Sequence, residues 1–366
     1  MINQKALESL LQQHFASGPL PAAEVMALAL YHPESGYYRR PVGPWGFEGK
    51  DYYTALDLGP LLGETLALRL EREWERLDRP GVFTVLEPGA GRGWLGRDLL
   101  GAASGAFAEA LVYVHRDDNP AAKRMAEEAL EPWLRAGKAR VVSENEGLAA
   151  FRGAVLSNEL FDALPAQPWR WTGEAWEREV LNTGGPGWEI ADPGEAGAWF
   201  AAQAEDGLQP GDGSIWCEGL PRLLEGLCGP LQAGLFLAID YGETAPRLLS
   251  KGADLRRYRG HTVDGRWWEE LGHCDLTADV DFTRLEALLG DQGLQGAGHV
   301  SLSRWIRTHA PLGEWEAAWQ SLDTVARVKR MENLLQLTLP GMLGERFRVL
   351  EARRDFASGQ QTTALG

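Results

Sequence analysis

Residues 82–95 read VFTVLEPGAGRGWL, and the way this stretch folds decides the class of the whole chain. VFTVLE is a short apolar run of strand length. The glycines that follow it, Gly89, Gly91 and Gly93, carry no Cβ, so the backbone can turn tightly and approach a ligand closely. A helix through Leu95–Leu100 is expected directly after them. The same grammar then recurs. LVYVHRD (111–117) reads as a strand and AAKRMAEEALEPWL (121–134) as a helix. ARVVSE (139–144), GAVLSNE (153–159) and GLFLAIDYG (234–242) supply three more strands. Short apolar strands alternating with helices predict an α/β fold whose mostly parallel sheet is covered on both faces.

Two stretches interrupt that alternation. QPWRWTGEAWEREVLNT (167–183) reads as a hairpin around Thr172-Gly173, and residues 252–282 form a polar excursion before the helix DFTRLEALL. GEWEAAWQSLDTVARVKRMENLLQL (313–337) reads as a helical stretch, and ERFRVLEARR (345–354) as the last strand. At the N-terminus, Ala23–Leu30 and Pro60–Leu77 space their apolar residues for amphipathic helices, with a Gly-, Pro- and Tyr-rich loop between them. The expected organisation is a helical and loop region over 1–78 that caps a cofactor site, then a core over 79–366 with insertions at about 166–212 and 252–282. No repeat or low-complexity linker is visible.

The composition narrows the function classes. With 366 residues, 44% hydrophobic and 24% charged, the chain reads as an ordinary globular protein with a sizeable core. No apolar run approaches the roughly 18–20 residues of a membrane span. The start, MINQKALESLLQQHF, has helical spacing and resembles neither a secretory signal nor a transit peptide. Three cysteines without CxxC spacing, Cys217, Cys228 and Cys274, argue against a disulfide framework or a zinc site and suggest a reducing cytoplasm. No metal is expected, because His32, His115 and His273 have no ligand spacing. The net charge of −16 disfavours nucleic acid as a partner, since phosphates would be repelled. It is compatible with a basic peptide or a cationic small molecule, and equally with acidity that only keeps the protein dispersed.

The details of the glycine loop say which nucleotide it suits. A dinucleotide fingerprint, G-x-G-x-x-G, needs a small residue where this chain has the bulky Trp94. The spacing is instead E-x-G-x-G-x-G, through Glu87, Gly89, Gly91 and Gly93. That form is associated with S-adenosylmethionine in Rossmann-like folds. Asp117 ends the second strand where an acidic residue would meet ribose hydroxyls, with Asp118 as its neighbour and a helix N-cap at Asp118 or Asn119 as the plain alternative. Ser143-Glu144-Asn145 could meet the adenine edge or be a solvated turn. The fourth strand ends in Asn158, Glu159 and, three residues on, Asp162. These can be a strand-to-helix cap, or polar groups presented beyond the carboxyl end of the sheet.

YHPESGYY, GKDYYTALDLGPLLGE, LEPGAGRG, LSNELFDALP, AIDYGE, ADLRRYRGHTV, DLTADVDF and GMLGERFRVL follow one another between about Tyr31 and Leu350. In this order the chain resembles the MidA family, which groups bacterial proteins with a mitochondrial complex I assembly factor that methylates protein arginine. The resemblance implies a class I methyltransferase core, S-adenosyl-L-methionine as cofactor, and a protein substrate such as a respiratory complex I subunit. It assigns Glu87, Gly89, Gly91, Gly93 and Asp117 to the cofactor. Asp51–Thr54, which includes Tyr53 and Thr54, follows a glycine loop and could fold over the cofactor as a lid or pack its tyrosines in the core. It assigns Asn158, Glu159 and Asp162 to the catalytic edge. There are departures. Leu56-Asp57 stands where the family usually has Pro-Glu, Asp279 where it has His, and GAGHVSLSRWI poorly copies an apolar strand.

Methyl transfer from a sulfonium needs alignment above all, and carboxylates can hold a guanidinium by paired hydrogen bonds. The expected role of Glu159 and Asp162 is therefore to orient and polarise a cationic substrate, with less reason to name a general base. The other readings are an assembly chaperone that binds cofactor with little catalysis, a small-molecule methyltransferase, and a nicotinamide oxidoreductase, which Trp94 disfavours. Arg256, Arg257, Arg259 and His261 form a basic patch that could clamp a partner or lie on a solvated face. Trp169, Trp171 and Trp176 could offer a partner surface or pack the hairpin. The oligomeric state is open.

Overall fold

A computed structural model describes residues 4–40, 55–260 and 262–355. Asp51, Tyr52, Tyr53, Thr54 and His261, which carry expectations stated above, lie outside the described residues.

The N-terminal part forms helices α1 (Gln4–Phe15) and α2 (Ala22–Tyr31), then a short α3 (Ala55–Leu58) and α4 (Leu61–Arg76). Leu62, Leu66 and Leu70 recur every four residues along α4 and are fully buried against the sheet, which is why this helix forms.

The sheet has seven main strands: β1 (Phe83–Pro88), β2 (Leu111–Arg116), β3 (Ala139–Val142), β4 (Phe151–Asn158), β5 (Leu231–Glu243), β6 (Gln295–Ser301) and β7 (Phe347–Arg354). Their spatial order is β6-β7-β5-β4-β1-β2-β3. β1 runs parallel to both β2 and β4, and β5 runs parallel to β4 with Gly234 opposite Gly153 and Ile239 opposite Asn158. β7 lies antiparallel to both its neighbours, β5 and β6, with Tyr241 of β5 opposite its Phe347. Alternate residues feed the two faces. Leu235, Leu237 and Ile239 join the core beneath α4, while Phe236 and Ala238 join the core beneath Leu224, Leu285 and Leu289. Glu351 is tolerated within β7 because Arg69 of α4 grips its carboxylate, Nε at 2.9 Å and Nη2 at 2.7 Å.

Several expectations are corrected. The first insertion is larger than a hairpin. Gln167–Trp171 and Trp176–Asn182 do turn at Thr172, whose N–H donates to Ala175 O at 3.0 Å. They are joined by Gly185–Ile190, Gly213–Trp216 and the two-residue Leu20–Pro21 into a five-stranded antiparallel sheet that extends beyond residue 212. The added strands are short and rich in glycine and proline, so no apolar alternation announces them. Trp169 and Trp176 are buried with Phe200 and Trp216, so they pack this sheet and present no open partner surface. The excursion at 252–282 is itself a three-stranded sheet of Leu255–Arg259, Thr262–Asp264 and Asp275–Ala278. Its arginines are matched within it. Arg256 pairs with Asp279 at 2.6 Å, Arg257 with Asp264 at 2.8 Å, and Arg259 with Glu270, so they form no free basic patch. The C-terminal helical stretch is two helices, Leu312–Trp319 and Thr324–Thr338, because Asp323 caps the second by accepting from Val325 N and Ala326 N. Among the described residues no helix is long and apolar enough to cross a membrane.

Candidate active site

The chain crosses from one side of the sheet to the other between β1 and β4, and a crevice opens beyond their carboxyl ends. The loop after β1 supplies one wall. Gly89, Gly91 and Gly93 all have left-handed backbone, with φ of 62°, 53° and 70°, which is where residues with a Cβ are strained. A Cβ at Gly91 would meet no protein atom within 4 Å, so the loop leaves room for a ligand at that point.

Three contacts hold the loop from behind. The Gly91 N–H donates to Asp117 Oδ2 at 2.9 Å, while Asp117 Oδ1 accepts from Asn119 N at 2.7 Å. His115 Nε2 lies 2.8 Å from Gly91 O. Glu87 accepts the Tyr113 hydroxyl, and burial pushes its carboxyl up to about 8. Gly96 permits that contact, since a Cβ there would lie 2.3 Å from the Tyr113 ring. Asp117 thus braces the loop, and each of its oxygens keeps a second lone pair for a hydroxyl. Asn119 is the helix N-cap, accepting from Ala121 and Ala122 N–H groups, so of the two cap positions offered, Asp118 and Asn119, it is Asn119 that caps. Ser143-Glu144-Asn145 is a turn with Glu144 and Asn145 exposed.

The other wall is the end of β4. Glu159 follows its last residue with φ of 50°, a left-handed conformation uncommon for a residue with a Cβ, and donates its N–H to Ile239 O at 2.9 Å. Desolvation, then the nearby Asp162 charge, push the Glu159 carboxyl up to about 8. Burial raises Asp162 to about 7 against the opposing pull of Arg256. The segment from Glu159 to Ala163 is a turn and does not continue as a helix, so the strand-to-helix cap reading does not apply here. It holds its shape because Asp240 of β5 accepts the N–H groups of Leu160, Phe161 and Asp162 at 3.2, 2.8 and 3.4 Å. Asn158 is no helix cap. Its Nδ2 donates to Glu159 Oε1 at 3.2 Å, and its buried Oδ1 has no partner.

The insertion and the N-terminal part close the crevice. Asp275 accepts the Tyr38 hydroxyl at 2.7 Å, and Ala278 N donates to Asp162 O at 2.9 Å. The result is a cleft of about 570 Å³ including its open mouth. Glu87, Gly89 and Gly91 line it with Asn158, Glu159, Asp162, Asp275 and Tyr38. Glu87, Gly89, Gly91, Asn158, Glu159 and Asp162 are thereby brought together, while Asp117 stands behind the loop and Gly93 packs on Ala126. The sequence reading missed Asp240, Asp275, Tyr38 and the loop residue Arg92. A carboxylate ending the apolar run LFLAID was the one available signal for Asp240, the same signal that marked Glu159.

This strand order, with a glycine loop and carboxylates meeting at the switch point, defines a class I methyltransferase fold. Residues 65–300 match the family model described as "Putative S-adenosyl-L-methionine-dependent methyltransferase". The chain belongs to that family, the MidA family that its sequence resembles, and is an enzyme that uses S-adenosylmethionine. It is similar to protein arginine methyltransferase NDUFAF7, mitochondrial, of Danio rerio, at 25% identity over 95% of this chain and 86% of the relative. The Drosophila melanogaster homologue is 26% identical over 92% and 82%. In structure it is similar to a superfamily member from Burkholderia thailandensis, that one bound to S-adenosyl-homocysteine, with TM-score 0.84, 24% identity, and coverage of 96% and 92%. That likeness is one of fold.

Proposed function

We propose that the chain is a cytoplasmic protein arginine methyltransferase, in which Asn158, Glu159 and Asp162 form the catalytic edge. Glu87, Gly89, Gly91, Gly93 and Asp117 hold the cofactor in this proposal, and Tyr53 and Thr54 contribute from outside the described residues. The observation that carries it is the convergence of Glu159 and Asp162 on the glycine loop, with Asp275 facing them in one cleft. Such a site favours a cation. The names of the mitochondrial relatives support arginine as acceptor, and the family resemblance supports a complex I subunit as partner. We also propose residues 1–78 as a cap on the core over 79–366, supported by Tyr38 and Leu56 in the cleft lining.

S-adenosylmethionine supplies a methyl group on a sulfonium, open to in-line attack. A guanidinium attacks poorly because its charge is delocalised and its pKa lies above about 12. Glu159 and Asp162 would accept its N–H groups, fix its plane and draw charge from the attacking nitrogen. Methylation of a guanidinium releases one proton. An entering guanidinium favours the ionised form of Glu159, whose proton passes to solvent, and the carboxylate so formed faces the guanidinium and can receive the proton that methylation releases. Glu159 therefore serves as orienting group and proton acceptor.

The test is incubation of a cell extract with methyl-labelled cofactor, followed by mass spectrometry of the product. The expected label is methylarginine in a protein, lost with Glu159→Gln while calorimetric affinity for S-adenosylhomocysteine is kept. Label in a small molecule would overturn the acceptor. Undiminished transfer by the variant would overturn the role of Glu159.

A further inference from the structure

Among the described residues, Arg92 is the one cationic side chain that lines the cleft, and it sits inside the glycine loop itself. This placement is costly for a site that must admit a sulfonium, because two cations close together in a poorly solvated crevice repel strongly. The fold answers it with Asp57. Arg92 Nη1 and Nη2 donate to Asp57 Oδ1 and Oδ2, each at 2.8 Å, in the two-pronged geometry of an arginine–carboxylate pair. The side chains are 5% and 3% exposed, so the pair is weakly screened. The guanidinium also stacks on Trp94, 3.8 Å from the ring centroid, which fixes its plane a second way. Asp57 belongs to α3, whose Leu56 lines the same cleft, and the Asp57 charge is felt at Glu159.

We propose that Asp57 is a positioning residue for the charge of the cofactor: by holding and neutralising Arg92, it lets the loop accept a sulfonium and sets the cleft's preference for the cationic cofactor over its neutral thioether product. The glycine loop alone would bind the shared nucleoside equally in both. The difference between them is one positive charge, and Arg92 is the cationic residue among those described that line the cleft receiving it. A preference of this kind also helps the spent product leave. The inference rests on the cofactor and is independent of which nucleophile takes the methyl group.

Calorimetric dissociation constants for S-adenosylmethionine and S-adenosylhomocysteine test it in three proteins. Asp57→Asn leaves Arg92 charged without its carboxylate and should raise the ratio of the two constants, cofactor over product, about tenfold. Asp57→Glu should restore much of the original ratio. Arg92→Gln removes the cation and should move the ratio in the opposite direction, to below the wild-type value. That opposite shift also stands as a test if Asp57→Asn fails to fold. A purely structural fastening would weaken both ligands alike in every variant, and an unchanged ratio overturns the proposal.

Discussion

Glu159 combines two features that a residue chosen for stability would avoid. It holds left-handed backbone without being glycine, and it keeps a carboxyl in a crevice it shares with Asp162. Around it stand Asn158 on its own strand, Asp240 and Tyr241 on β5, Asp275 on the insertion and Asp57 on α3, mostly acidic groups that oppose its ionisation. The sign of the consequence follows from linkage. The folded carboxyl titrates near 8 and the unfolded one near 4.5, so its contribution to stability is complete below 4.5 and disappears as pH rises through 8. Glu159→Gln removes the charged form. At pH 5 it should leave unfolding free energy nearly unchanged, and at pH 8.5 it should stabilise the protein by on the order of 1–2 kcal/mol, a figure reduced from the full shift because Glu159 is only half-buried. Urea melts at the two pH values check this. An equal difference at both would mean that the carboxyl is not ionising against the fold.

The turn after β4 is the element on which the site depends, and its geometry comes from a neighbouring strand. Asp240 accepts three successive N–H groups of Leu160–Asp162 through one oxygen and the N–H of Tyr241 through the other. Asp240→Ala would strand several buried donors, so a loss of about 1–3 kcal/mol in denaturant melts is expected. Methyl transfer in a single turnover should fall because the turn carries Glu159 and Asp162, while S-adenosylhomocysteine affinity should stay within about twofold. Loss of ligand binding in step with activity would show that the whole crevice had collapsed. What was legible in the sequence follows the same physics. β1, β2, β4 and β5 are buried on both faces, so their apolar runs announced them, and the glycines and Glu159 were visible at their ends. β6 is an edge strand with its first half exposed, so nothing demands apolar residues there, and this is why GAGHVSLSRWI copies an apolar strand poorly. Leu20–Pro21 joins a sheet with strands some 160 residues away, a pairing no local pattern can encode. Asp240 and Asp275 were hidden for the same reason. Their importance lies in what they touch across the fold, about 80 residues away for Leu160 and 237 residues away for Tyr38.

At the scale of the molecule, three parts of the chain meet over one crevice: Tyr38 from the N-terminal part, Glu159 and Asp162 from the core sheet, and Asp275 from the three-stranded insertion. The whole carries a net charge of −16, and at the crevice the carboxyl groups of Glu159, Asp162 and Asp275 stand beside an Arg92 that Asp57 already pairs. A long-range field of that sign draws a basic partner toward the mouth and raises its encounter rate, and salt removes the effect once the screening length falls to about 8 Å near physiological ionic strength. The short-range holding of a neutral nucleoside by the glycine loop is not of that kind. Raising sodium chloride from about 50 to 300 mM should therefore raise the KM for a basic protein substrate several-fold, with kcat little changed. Over the same range the calorimetric affinity for S-adenosylhomocysteine should move less than about twofold. The comparison separates acceptor classes without knowledge of the partner's identity. An uncharged small-molecule acceptor would show a flat KM, because only a cationic one approaches along the field, and a flat KM would remove the cationic-partner reading while leaving the methyltransferase core intact.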